Sequence, residues 1–215
     1  MAAISPASAT TIVDPVGDFL LTFTGSQNGD VDIRSTTVTF DGTNFDLSAT
    51  VNGTLGTTEG SLFVWGVNRG SGTARLTFGS PSLGSNVLFD AVVVMFPDGL
   101  LRVVTFVGAI PTITPFPAGV TVAGDTLSAS VPLALLFSTG YTPDQYTFAL
   151  WSRDRANPLA DGGNNEIADF APNSGTFRAV PEPSTWIMML LGFGLAGGAM
   201  RFRSRRAVMA GAAAP

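Results

Sequence analysis

Along the first 180 positions apolar and polar residues alternate frequently with a period of two, and no stretch sustains the 3.6-residue period of a helix. Phe45, Leu47, Ala49 and Val51 alternate with Asp46, Ser48 and Thr50, which predicts a strand with one buried face. The preceding Asp41-Gly42-Thr43-Asn44 supplies turn residues back to Thr37-Val38-Thr39-Phe40, so the two runs are expected to form a hairpin. Residues 87–96 are nearly all apolar, and Pro97-Asp98-Gly99 turns them into 100–107. That pattern suits a central strand pair covered on both faces. Further strands are predicted at 18–24, 31–36, 62–67, 74–78, 120–122, 126–131, 146–151, 166–170 and 176–178. Short strands punctuated by Gly, Asn, Asp and Pro give an all-β body, a two-sheet sandwich for which a jelly roll is one arrangement. The segment 111–117 holds three prolines and reads as a connection or a sheet edge, and 152–165 reads as a long polar loop. There is no strong internal repeat of about 20–50 residues, which argues against a β-solenoid.

The pattern changes at residue 180. Val180-Pro181-Glu182-Pro183-Ser184-Thr185 is followed by Trp186 and an uncharged, mostly apolar run to Met200, then by Arg201, Arg203, Arg205 and Arg206. With Ser184 and Thr185 the run reaches the lower end of the roughly 17–25 residues that cross hydrocarbon. A core helix would show a polar face, and this run is apolar on every side. The expectation is one short C-terminal transmembrane helix, with Trp186 as an interfacial anchor and the arginines as a membrane stop on the cytoplasmic side. Pro181 and Pro183 hold the preceding segment extended, a form that a processing enzyme can grip. A GxxxG spacing at Gly194 and Gly198 could dock a second helix, but four glycines in a short run make that spacing common by chance.

Pro181-Glu182-Pro183, Trp186 with its apolar run, and the terminal arginines together resemble the PEP-CTERM sorting signal in its PEPxxW variant. The resemblance covers about residues 180–206 and departs from the family in Ile187, where Ala is usual, and in the nine residues after Arg206. It implies that the tail is the substrate of exosortase, a membrane-embedded transpeptidase associated with exopolysaccharide-producing Gram-negative bacteria. It also implies that Pro181, Glu182, Pro183 and Trp186 are recognition residues and not catalytic ones. Similar tails occur on unrelated ectodomains, so the tail reports an address and not a ligand.

An exported chain needs an N-terminal signal, yet residues 1–10 contain no basic region and no apolar core. Ala7-Ser8-Ala9 does match the small-x-small pattern of signal cleavage, directly before Thr11-Ile12-Val13. Residues 1–9 are therefore read as the remnant of a secretory signal whose front precedes this start, 10–179 as the ectodomain, and 180–215 as the sorting tail.

Composition narrows the chemistry. Residues 1–180 hold seven arginines against fifteen acidic side chains, while 181–215 hold four arginines and Glu182. An acidic body repels phosphate backbones, so nucleic acid is excluded as a partner. His, Cys and Lys are all absent, so no Ser-His-Asp or Cys-His nucleophile, Schiff-base lysine, HExxH zinc site or thiolate cluster can be built. Carboxylate chemistry is what remains.

Asp161-Gly162-Gly163-Asn164-Asn165-Glu166, with Asp169 nearby, gathers oxygen ligands of the kind Ca²⁺ takes, without the EF-hand spacing. A solvated turn in which Asp and Asn cap their own backbone explains the same residues, and is preferred. Asn28-Gly29-Asp30 and Asp32 invite the same thought with less support. Trp65 reads as core, whereas Trp151 opens a loop and is the better candidate to stack on a sugar. A glycoside-active enzyme would need two carboxylates about 5–10 Å apart, which sixteen acidic residues permit anywhere and therefore do not select. The reading is an exported, non-enzymatic surface or matrix protein, structural or adhesive in an exopolysaccharide layer, with no cofactor. The alternatives are a Ca²⁺-assisted carbohydrate-binding module and a carboxylate enzyme.

Overall fold

The computed structural model of the chain describes residues 8–74, 86–107, 110–155, 164–173 and 175–179. Among these, the strands in chain order are β1 (Ser8–Val13), β2 (Ile33–Phe40), β3 (Asn44–Val51), β4 (Ser61–Asn68), β5 (Thr73–Ala74), β6 (Leu88–Phe89), β7 (Ala91–Met95), β8 (Leu101–Val107), β9 (Ile110–Phe116), β10 (Thr121–Ala123), β11 (Thr126–Pro132), β12 (Thr147–Asp154), β13 (Ile167–Ala171) and β14 (Phe177–Arg178). They form one sheet in the order β1-β2-β3-β11-β10 and a second in the order β13-β12-β4-β7-β8-β9, with β14 also on β12 and a separate β5-β6 pair. All the pairings are antiparallel. The meander β7-β8-β9 departs from the two interlocked Greek keys of a jelly roll.

Alternation decides which face each strand buries. Val38 of β2, Phe45 and Leu47 of β3 and Leu127 of β11 meet Phe63 and Trp65 of β4, Val93 of β7 and Phe148 of β12 in one buried cluster between the sheets. The Phe45 ring stacks on Tyr146 and tilts against Phe148, each at 5.4 Å between centroids, and such pairs add about 0.5–1.5 kcal/mol beyond their burial. The residues between them, Thr37, Ser48 and Ser128 among them, put hydroxyls on the other face of the first sheet, where they line a groove with Asp46 and Thr121.

The second sheet is apolar on both faces. Leu62, Val64, Val92, Val104, Ala149 and Trp151 form a separate buried cluster with Phe89, and as a result every residue of β4 is buried. Gly66 follows from this crowding. A Cβ there would lie 3.0 Å from the Trp151 ring and 3.1 Å from Phe89.

One polar knot is sunk into this apolar frame. Arg69, fully buried just after β4, donates Nε to Asp90 Oδ1 at 3.0 Å, NH2 to the Asp90 carbonyl at 3.1 Å and NH1 to the Phe137 carbonyl at 3.1 Å. Its guanidinium also lies 4.7 Å from the Phe137 ring centre. The backbone N–H of Arg69 and Ser71 and the hydroxyl of Thr139 donate to the same Asp90 carboxylate. Burial pushes the Asp90 carboxyl up, but the bonds from Thr139 and Arg69 and the Arg69 charge outweigh it and leave the group below its ordinary value. The knot joins the end of β4, the start of β7 and the crossover from β11 to β12.

The hairpin expected at 37–51 forms, with Phe40 opposite Phe45, and Asp41 Oδ1 accepts from the N–H of Thr43 and Asn44, each at 2.7 Å. The pair expected at 87–107 forms as β7 and β8. Segment 111–117 becomes β9, the outermost strand of its sheet. Pro111 faces Phe106 and Pro115 faces Arg102.

Three expectations fail. Segment 18–24 is not a strand: Phe19, Leu20 and Phe23 are spaced to cap Val31 and Ala168, and two N–H bonds, Leu20 to Ala168 at 2.8 Å and Thr24 to Asn165 at 3.1 Å, replace a ladder. Residues 29–31 make a 3-10 turn, so β2 starts at Ile33. The polar segment from 152 opens three residues late, because β12 pairs with β4 as far as Asp154 opposite Ser61.

The chain divides into two compact units, Met1–Pro181 and Glu182–Pro215. Among the described residues no helix is long and apolar enough to cross a membrane, and the run at 186–200 lies outside them.

Candidate functional site

Where β1 ends, the chain runs through Asp14-Pro15-Val16-Gly17-Asp18 before reaching the 3-10 turn at Gly29–Val31. Proline and glycine suit a turn, and Gly17 adopts φ 81°. The Asp14 N–H donates to the Arg34 carbonyl at 2.9 Å, which fixes the start of the loop on β2. The Gly17 N–H donates to both oxygens of Asp32 at 3.1 and 3.0 Å, and Asn52 Nδ2 donates to Asp32 at 3.1 Å.

That loop brings two acids to a third, Asp169 of β13. One carboxylate oxygen from each of Asp14, Asp18 and Asp169 lies within 4.8 Å of the others. Asp169 is fully buried, and its Oδ2 accepts from the Ile33 N–H and its Oδ1 from the Phe170 N–H, both at 2.7 Å. Asp14 is 6% exposed. Its Oδ2 and the Oδ1 of Asp18 are buried without a hydrogen-bond partner, while the other Asp18 oxygen accepts from Asn173.

Electrostatics follow from the crowding. Burial pushes the Asp169 carboxyl up to about 9, with the Asp14 and Asp18 charges adding to it against the opposing bond from Ile33. Burial, then the charges of Asp18 and Asp32, push Asp14 up to about 7. Among the described residues the arginine ion pairs go to Asp125, Asp90 and Glu166, and none reaches this cluster. The group is a buried cluster of three carboxyls that no described arginine approaches.

The acids picked from sequence are distributed differently. Asp161 lies outside the described residues, and Asn164 opens a 3-10 turn whose first side chain is likewise outside them. Glu166 is engaged by Arg153 and, at 3.9 Å, by Arg155, so it faces cations and not Asp169. Asp30 accepts from the Thr58 N–H at 2.8 Å and from its hydroxyl at 2.6 Å. Among the described residues of the expected set, Asp169 alone joins a carboxylate cluster. Its companions, Asp14 and Asp18, were signalled only by a Pro/Gly loop with acidic ends placed directly after a strand.

Trp151, expected to open a loop and stack on a ligand, is instead 3% exposed within β12, with its ring 5.4 Å from Phe89 and 5.7 Å from Phe170. It packs on the outer face of the second sheet because that face is itself covered. Tyr146 is also fully buried, its hydroxyl donating to the Leu136 carbonyl at 2.8 Å.

At the N-terminus Ala7 lies outside the described residues, and Ala9 pairs with Thr39 in β1. A cut after Ala9 would remove the first two of the six register pairs of β1 and leave Thr10 to Val13 in place. Pro181, Glu182, Pro183, Trp186 and Arg201, Arg203, Arg205 and Arg206 lie outside the described residues.

The family model of the PEP-CTERM protein-sorting motif matches residues 179–206. No curated protein matches the chain. The matched segment holds the Pro-Glu-Pro triplet, the apolar run and the arginines, and such a motif marks a protein that exosortase, a membrane enzyme, sorts to the cell surface.

Proposed function

We propose that the chain is a non-enzymatic surface or matrix protein, held in the inner membrane by its tail with the C-terminus in the cytoplasm until exosortase removes that tail. The observation that carries this is the sorting motif at 179–206. Trp186 at one end of the apolar run and four arginines at the other set the orientation, since positive residues stay on the cytoplasmic side. The body then acts structurally or adhesively in an exopolysaccharide layer. Its hydroxyl-lined sheet face and acidic balance suit a hydrated, uncharged or cationic polymer better than a polyanion. The absence of His, Lys and Cys supports a non-catalytic role.

A second reading, a carbohydrate-binding module, is favoured by a polar groove of about 380 Å³ bordered by Thr24, Ser26, Asn28, Thr58, Glu59 and Asp154. It would take a sugar through hydrogen bonds, since Trp151 is packed away from solvent.

Mass spectrometry of the mature protein from its native host tests the main reading at both ends. The expected species begins near Thr10, ends near Pro181–Pro183 and lacks Trp186 onward. Recovery of the intact arginine-rich tail from the surface fraction would refute processing.

A further inference from the structure

We propose that Asp14, Asp18 and Asp169 form a calcium site that fastens the 14–18 loop to β13. The inference is independent of how the tail is processed.

The geometry is that of one shared ion. Ca²⁺ takes oxygen ligands at about 2.3–2.6 Å, so two ligands on opposite sides of it stand about 4.6–5.2 Å apart. The three carboxylates each place an oxygen inside a 4.8 Å set, so a single cation can touch all of them. The donors are oxygen only, as a hard cation requires, and waters or backbone carbonyls complete a shell of six to eight.

Burial points the same way. A carboxylate withdrawn from water needs hydrogen bonds, a cation or a proton. Asp169 uses two N–H donors, and Asn173 reaches one oxygen of Asp18. Asp14, more than nine-tenths buried, has Oδ2 without a partner in the same cluster, and Asp18 Oδ1 is in the same position. No described arginine pairs with any of the three. A divalent ion among the three carboxylates supplies the partner that Asp14 and Asp18 lack and removes the repulsion among three acids.

The supporting contacts orient the loop and leave these oxygens free. Asp32 holds Gly17 through its two oxygens and is itself held by Asn52, so the turn between Asp14 and Asp18 is set before an ion arrives. Because the ligands come from positions 14, 18 and 169, binding ties the N-terminal segment to the far end of the fold.

The test uses the full chain purified in detergent, stripped with EDTA and titrated with CaCl₂ by calorimetry and thermal melting. One Ca²⁺ per chain is expected, and at a hundredfold excess over the dissociation constant the melting temperature should rise by roughly 5–10 °C. Asp14→Asn and Asp18→Asn, on the loop and outside the sheet, should each weaken binding at least tenfold, while Glu166→Gln, in the Arg153 ion pair, should leave it unchanged. No heat and no melting shift up to 10 mM Ca²⁺, about tenfold beyond the weak end of extracellular sites, would overturn the proposal. Unchanged binding in both loop variants, or loss only in Glu166→Gln, would overturn it equally.

Discussion

Asp90→Ala should be among the most damaging single changes in the body, lowering its melting temperature by roughly 6–20 °C. Arg69 is fully buried and has Asp90 as its carboxylate partner. Removing that partner strands a guanidinium in an apolar frame, and breaking a buried pair from one side costs about 3–5 kcal/mol. The loss includes the bonds from Thr139 and Ser71 that share the carboxylate, so the crossover between β11 and β12 loosens as well. Replacing both members, as Arg69→Met with Asp90→Leu, should cost less than the single change, because no charge is left behind. Thermal melts of the two variants check this, and a double variant less stable than Asp90→Ala would contradict it.

The pH dependence has a definite sign. Asp90 sits below its ordinary value of 3.8 in the folded protein, so its contribution is present above that value and is lost as pH falls through the lower, folded one. Asp90→Asn should therefore flatten the acid limb of the stability curve.

Replacing Arg201, Arg203, Arg205 and Arg206 together by Ser should let uncleaved precursor escape from the membrane. A single arginine at mid-bilayer costs about 2.5–3.5 kcal/mol on insertion scales, so four in six positions act as a stop. The apolar run of 186–200 is at the short limit for a span and has little surplus hydrophobicity to hold its register. The arginines therefore matter more than they would behind a long helix, and Leu190→Ala alone should change retention little. Fractionation of cells expressing each variant measures this. Retention and normal processing of the four-Ser chain would assign the stop to the apolar run.

The strands were legible where one side of a sheet meets the core and the other meets water. Phe45, Leu47, Ala49 and Val51 announce β3 because their neighbours Asp46, Ser48 and Thr50 point outward. The same logic misplaces Trp151. It lies on the outer face of β12, and nothing local says that this face is covered by Phe89 and Phe170. Segment 18–24 has apolar residues in abundance, but they cap Val31 and Ala168 without a continuous ladder, a distinction that only the tertiary partner makes.

The carboxylate cluster was half legible. Asp169 is visible as an acid in a strand, but its companions stand more than 150 positions earlier, and only the closure of the 14–18 loop beside β13 unites them. Glu166 is three residues from Asp169, yet a 3-10 turn sends it to Arg153. Proximity in sequence therefore suggested the wrong neighbours. The sorting motif was legible because its logic is linear, with a Pro-Glu-Pro triplet, an apolar run and an arginine cluster in order along the chain.

The two prolines of β9 bear on how closely copies of this protein can be crowded. An outermost strand offers its outward N–H and C=O groups to any neighbour that could extend the sheet. Proline cannot donate to a ladder, so Pro111 and Pro115 keep β9 on β8 only if their positions face away from it. The outward row at 111, 113 and 115 then carries one donor, at Ile113. Ile110 and Ile113 are 73% and 57% exposed, and on a fully donating edge they would make a sticky template. With two of three donors gone, a second chain arriving at β9 finds side chains to touch but only the Ile113 N–H to pair its carbonyls with, so copies can be packed densely with little tendency to polymerise through that rim.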